Sequence, residues 1–98
     1  MQIYQMPPLR RQHSRFKVGS DCKMFIEGNL DFSAYCRDIS SGGAGIVTNV
    51  ELPQNSLVRL LLNIPWKEDK VETFGRVAWC NKLTDGYYRL GVKFSLPV

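Results

Sequence analysis

The chain has 98 residues, 44% of them apolar and 22% charged, and a formal net charge of +4. That is one domain, near the lower end of the size that buries a self-sufficient core, with an ordinary globular composition. A membrane helix is excluded because the most apolar window, SLVRLLLNIP, is broken by Arg59 and Asn63, and the start, MQIYQMPPLRR, lacks the apolar core of a secretory signal.

In chain order, residues 1–14 are polar, and Pro7-Pro8 favours extended backbone, so the stretch reads as a mobile arm. We take residues 1–9 as the flexible arm and residues 10–98 as the folded domain. From Phe16 the apolar period becomes two: Phe16, Val18, Cys22, Met24 and Ile26 share one parity, and Lys17, Asp21 and Lys23 hold the other. Glu27-Gly28-Asn29 is a turn. Leu30, Phe32, Ala34 and Cys36 then alternate with Asp31, Ser33, Tyr35 and Arg37. The stretch DISSGGAG is a glycine-rich corner leading into a short strand, Ala44–Thr48, followed by the loop ELPQN. Val58, Leu60, Leu62 and Ile64 share a face of the next strand, and PWKEDK turns the chain. Val71, Thr73, Val77 and Trp79 alternate through a fifth strand. LTDG turns the chain again, and Tyr88, Leu90, Val92 and Phe94 share one parity in a sixth. Six short strands at even spacing predict an all-β antiparallel barrel or sandwich, and closure would remove edges that so small a chain cannot otherwise cover. No segment carries a helical period.

The charge is unevenly placed. Residues 1–23 hold Arg10, Arg11, Arg15, Lys17 and Lys23 against Asp21 alone, while residues 24–98 balance to zero. This points to a local anion site, not a broad face for a polyanion. Catalysis is hard to build, since the one histidine, His13, lies in the arm and no phosphate-binding glycine loop is present. Cys22, Cys36 and Cys80 form no CxxC pair, so neither a disulfide frame nor a zinc site is expected. They read as reduced, buried or half-buried thiols of a cytoplasmic protein. No catalytic or metal-ligating set is predicted.

Two motifs carry chemistry. Arg11 and Arg15 form R-x-x-x-R, directly preceded by Arg10. A guanidinium fork matches phosphate oxygens and also the O6/N7 edge of guanine, although a solvated basic arm is the plainer reading. Asp38, Ser40 and Gly43 form D-x-S-x-x-G at a strand end. Asp and Ser favour turns by bonding local backbone, and glycine reaches torsions barred to other residues, so a purely structural corner is the alternative. In the functional reading, the carboxylate accepts from the N1–H and N2–H₂ edge of guanine, the edge arginine cannot read. Trp79 shares parity with Val77, which suits packing, though a base could also lie against it.

In this order, RRQHSR, DISSGG, GRVAWC and YYRLGVKF resemble the PilZ domain family over roughly residues 10–94. The resemblance implies a six-stranded antiparallel β-barrel that binds the bacterial second messenger cyclic di-GMP. It implies that Arg11 and Arg15 grip phosphates and guanine edges, that Asp38 and Ser40 bond the purine and nearby polar atoms, and that Gly43 keeps the corner tight. Arg10, just before the motif, implies a stacked ligand pair. The resemblance further implies a non-enzymatic receptor that needs no cofactor and relays binding through its arm to a protein effector of motility, adhesion or exopolysaccharide output. Many members carry a helix after the last strand, whereas here SLPV follows Phe94, so little or no C-terminal helix is expected. Two other readings remain: a ligand-independent PilZ-like adaptor, and a small oligonucleotide-binding barrel stacking bases on outward Phe25, Tyr35, Phe74 and Tyr87. DNA or RNA binding is not expected, because the charge outside the arm sums to zero.

Overall fold

The structure, a computed structural model, describes residues 15–26 and 30–98. Alternating apolar residues give β1 (Phe16–Ile26), β2 (Leu30–Ser40), β3 (Gly43–Thr48), β4 (Leu57–Leu62), β5 (Val71–Thr84) and β6 (Tyr87–Phe94). Every neighbouring pair is antiparallel, and the sheet closes as a barrel in the order β1-β2-β3-β6-β5-β4. Closure pairs the edge of β1 with β4 through Lys23↔Leu61, Met24↔Leu60 and Phe25↔Arg59. The predicted barrel is therefore the one formed, with no helix among the described residues. The predicted turn at residues 27–29, and the arm with Arg10, Arg11 and His13, lie outside the described residues.

One side chain per two residues of each strand fills the interior. Met24, Ile39, Ile46, Val58, Leu60, Leu62, Val77 and Leu90 are fully buried, and Leu52 and Ile64 join them from the loops that flank β4. Ile64 belongs to the core as predicted, but from just beyond the strand. Phe16 departs from its predicted face. The β1–β2 register shifts between Lys17 and Ser20, where Gly19 takes a φ of 61°, and Phe16 ends half-exposed against Trp66 with ring centroids 5.2 Å apart. Asp85-Gly86 makes the tight turn that LTDG predicts, with Gly86 at φ 82° and Thr84 opposite Tyr87.

Cys22 and Cys36 face the core, and Cys80 is half-buried. Burial, chiefly, pushes the Cys22 thiol up to about 12, with Cys36 and Asp21 adding to it. Burial likewise pushes Cys36 up to about 11, Asp38 adding and Arg15 subtracting. Both thiols thus stay protonated in the folded chain at pH values where an exposed thiol, near 9.0, has ionised. The unfolded state then binds fewer protons, so stability is full below pH 9.0 and falls as pH rises towards 11–12. Urea unfolding at pH 8 and pH 10 should show a lower midpoint at the higher pH, shallower in Cys36→Ala. A thiol-reactive dye at pH 8 should label Cys80 first and the other two only on unfolding.

Candidate functional site

Two interruptions of strand alternation build the site. In β2, Cys36 and Ile39 are both buried, although they stand three residues apart. The β2–β3 register runs Cys36↔Ile46 and then Asp38↔Gly45, leaving Arg37 as an extra residue. In a regular strand Asp38 would follow Cys36 into the core; the bulge turns it outside. In β5 the register runs Val77↔Val92 and then Trp79↔Gly91, leaving Ala78 as the extra residue. Trp79 is consequently 43% exposed on the outer face. The parity shared by Val77 and Trp79 in the sequence is broken by that bulge, so Trp79 is not a core residue.

Both turned-out side chains lie in one row of the register. Asp38 pairs with Gly45, Gly45 with Gly91, and Gly91 with Trp79, across β2, β3, β6 and β5. The two glycines form a bare floor. An added Cβ at Gly45 would stand 3.1 Å from both carboxylate oxygens of Asp38, and one at Gly91 would collide with the Trp79 indole. The carboxylate and the indole therefore lie over neighbouring floor positions and face each other across roughly one strand spacing, about 5 Å.

Arg15 reaches the same place from the start of β1. Its Nε donates to Asp38 Oδ1 at 3.1 Å, and its terminal nitrogen bonds the same oxygen. The corner beyond is self-braced. Ser40 is 3% exposed; its hydroxyl accepts from the Gly42 N–H at 3.2 Å and donates to the Gly43 carbonyl at 3.4 Å. A Cβ at Gly43 would collide with the Val92 carbonyl oxygen. The Phe94 and Val98 N–H groups bond the Gly42 and Ser41 carbonyls, both at 2.9 Å, tying the C-terminal stretch to the corner.

Together these residues line an open cleft of about 770 Å³ on the outside of the barrel, large enough for a nucleotide-sized ligand. Of the predicted site residues, Arg15, Asp38, Ser40 and Gly43 all line it, while Arg10 and Arg11 lie outside the described residues. Sequence reasoning missed Arg37, Arg89 and Lys93, cations from the charge-balanced part of the chain that line the same cleft. The outward parity of Arg89 and Lys93 was readable beside Leu90, Val92 and Phe94; that β6 would lie against β3, next to Asp38, was not. The aromatic residues of the oligonucleotide reading do not share a groove. Phe25 sits under Arg59, 4.1 Å from its ring centroid, in a row with Phe74 on β4 and β5, whereas Tyr35 stands on β2 and Tyr87 on β6. Among the described residues, no group of His, Cys, Asp and Glu side chains could hold a metal ion, and no helix is long and apolar enough to cross a membrane.

Fold and cleft together define a small antiparallel β-barrel with a cationic, glycine-floored site on its outer wall. The sequence profile of the PilZ domain matches residues 9–98, and the chain belongs to the PilZ domain family. Solved structures of similar fold include the inhibitor of motility MotI/DgrA of Bacillus subtilis, with a TM-score of 0.71 and 20% identity over 91% of this chain and 44% of that one. They include the PilZ domain of Escherichia coli YcgR with c-di-GMP, TM-score 0.65 and 14% identity over 88% of this chain and 78% of that one. The K. pneumonia MrkH–c-di-GMP complex has a TM-score of 0.66 and 19% identity over 89% of this chain and 44% of that one. This chain thus spans less than half the length of MotI and MrkH. Among curated protein sequences, none matches it.

The two glycine positions make distinct predictions. Gly43→Ala forces backbone apart and should cost roughly 1–3 kcal/mol of stability in urea unfolding. Gly91→Ala should displace the indole from its seat. In a Trp66→Phe background, this should appear as red-shifted Trp79 emission and faster acrylamide quenching.

Proposed function

We propose that this domain is a non-enzymatic receptor for cyclic di-GMP, with residues 10–98 as the receptor unit. The observation that carries the reading is the meeting of Arg15, from the first motif, and Asp38, from the second, over the Gly45–Gly91 floor beside Trp79. Each group complements a different part of a guanine nucleotide. The Asp38 carboxylate accepts from the N1–H and N2–H₂ edge. The arginine fork takes phosphate oxygens or the O6/N7 edge. The indole gives a base a stacking face. Arg37, Arg89 and Lys93 add positive charge along the path of a doubly anionic ligand.

Without ligand, Arg15 and Asp38 satisfy each other. Both side chains are 32% exposed, so solvent screening holds the pair to about 1 kcal/mol or less, and a ligand can take over both partners at little loss. Arg10 and Arg11 then close on the ligand from the arm. Ordering each backbone residue costs roughly 1–2 kcal/mol, whereas micromolar binding is a net of about −8 kcal/mol. Several charge-assisted bonds are therefore required, and the arginines and Asp38 supply them. The repositioned arm is the output, sensed by a protein effector of motility, adhesion or exopolysaccharide output. Two structural neighbours, an inhibitor of motility and a PilZ domain with c-di-GMP, support this reading.

Calorimetric titration tests it, with GTP and a linear diguanylate as controls. Arg11→Ala, Arg15→Ala and Asp38→Ala should each weaken cyclic di-GMP binding by roughly tenfold or more, the worth of a hydrogen bond to a charged group. Melting temperature should change little, because Arg15 and Asp38 lie outside the core. Wild-type affinity in Arg15→Ala would end the reading.

A further inference from the structure

The outer face of the β5–β6 hairpin prolongs the cleft beyond the residues that line it. Cys80, Tyr88 and Leu90 pack toward the core, whereas Trp79 and Tyr87 face out, Tyr87 being 51% exposed. Along the outer side of β6, Gly91, Arg89 and Tyr87 follow at period two, with Trp79 opposite Gly91 and Asn81 opposite Arg89. Two residues of strand span about 7 Å, so Arg89 stands about 7 Å, and Tyr87 about 14 Å, from the seat of the indole. The order along this wall is aromatic ring, guanidinium, aromatic ring.

The charge on that wall is uncompensated. No ion pair among the described residues includes Arg89, and the one acidic residue of residues 78–94, Asp85, is matched by Lys82 at 3.5 Å. On its β6 side the hairpin stays paired with β3 as far as Thr48↔Tyr88, but beyond Val77 its β5 edge has no strand beside it among the described residues. Pairing of β4 with β5 ends at Leu57↔Arg76, and the last backbone bonds from the neighbouring loop reach Val77.

Resting on the cyclic di-GMP reading, we propose that this face is a second nucleotide subsite, in which Tyr87 stacks a guanine and Arg89 holds the phosphate between it and the base on Trp79. Continuity with the cleft and the unmatched guanidinium favour a nucleotide over a peptide, which would instead use the half-exposed Leu83 nearer the tip. The guanine belongs either to a second ligand molecule or to the far half of the same one.

Titration with cyclic di-GMP at fixed salt separates these outcomes, using wild type, Tyr87→Ala, Arg89→Gln and Leu83→Ser. Base stacking on an aromatic side chain is worth enough that Tyr87→Ala should weaken binding roughly fivefold or more, or remove one binding event. Arg89→Gln should act in the same direction, and Leu83→Ser should not. A stoichiometry falling from two to one in Tyr87→Ala assigns the subsite to a second molecule; constant stoichiometry with weaker affinity assigns it to the far base of one molecule. Wild-type binding by both Tyr87→Ala and Arg89→Gln overturns the subsite and leaves the receptor reading standing. Absence of binding by the wild-type chain overturns both.

Discussion

One extra residue in a strand is the constraint on which this site depends. Side chains in a β-strand alternate strictly, so a carboxylate that follows Cys36 by two would be driven into an apolar barrel, where an unpaired charge is heavily penalised. Arg37 absorbs that conflict. It shifts the phase of β2, leaves Ile39 to fill the core, and delivers Asp38 to the outside. Ala78 does the same for Trp79 in β5. The two bulges stand at opposite ends of one register row, so they aim a charge and an aromatic face at the same patch of wall.

That patch is usable because the positions between them are glycine. Any side chain at Gly45 would crowd the carboxylate, and any at Gly91 would lift the indole. The corner below is rigid for separate reasons: Ser40 is bonded within it, Gly43 permits close approach to β6, and the C-terminal stretch is hydrogen-bonded to it. Arg15 meets this rigid surface from the beginning of the first strand. The geometry therefore joins a braced acceptor to a donor carried where the chain enters the barrel.

The electrostatics follow placement, not totals. Beyond residue 23 the formal charge sums to zero, yet Arg37, Arg89 and Lys93 gather on one cleft with Asp38 as its carboxylate. The other acidic residues described beyond residue 23 do not line the cleft, and three of them are paired away from it: Glu72 with Arg59, Asp31 with Lys23, and Asp85 with Lys82 at the hairpin tip. With Arg15, Arg37, Arg89 and Lys93 against one carboxylate in its lining, the cleft is cationic.

The sequence by itself determined the strands, the barrel and the corner. Period-two alternation, turn residues such as Asp85-Gly86, and the glycines after Asp38 act locally, through sterics and hydrogen bonds that a few neighbours decide. The same locality made Arg15, Asp38, Ser40 and Gly43 legible as a candidate set. It did not reveal that Trp79 faces outward, that Gly45 and Gly91 form the floor, or that Arg37, Arg89 and Lys93 share the cleft. Those facts depend on the phase of each strand after its bulge and on β6 lying beside β3 across two intervening strands of sequence. Only closure of the barrel fixes them, because register is a long-range compromise among buried side chains that no short window contains.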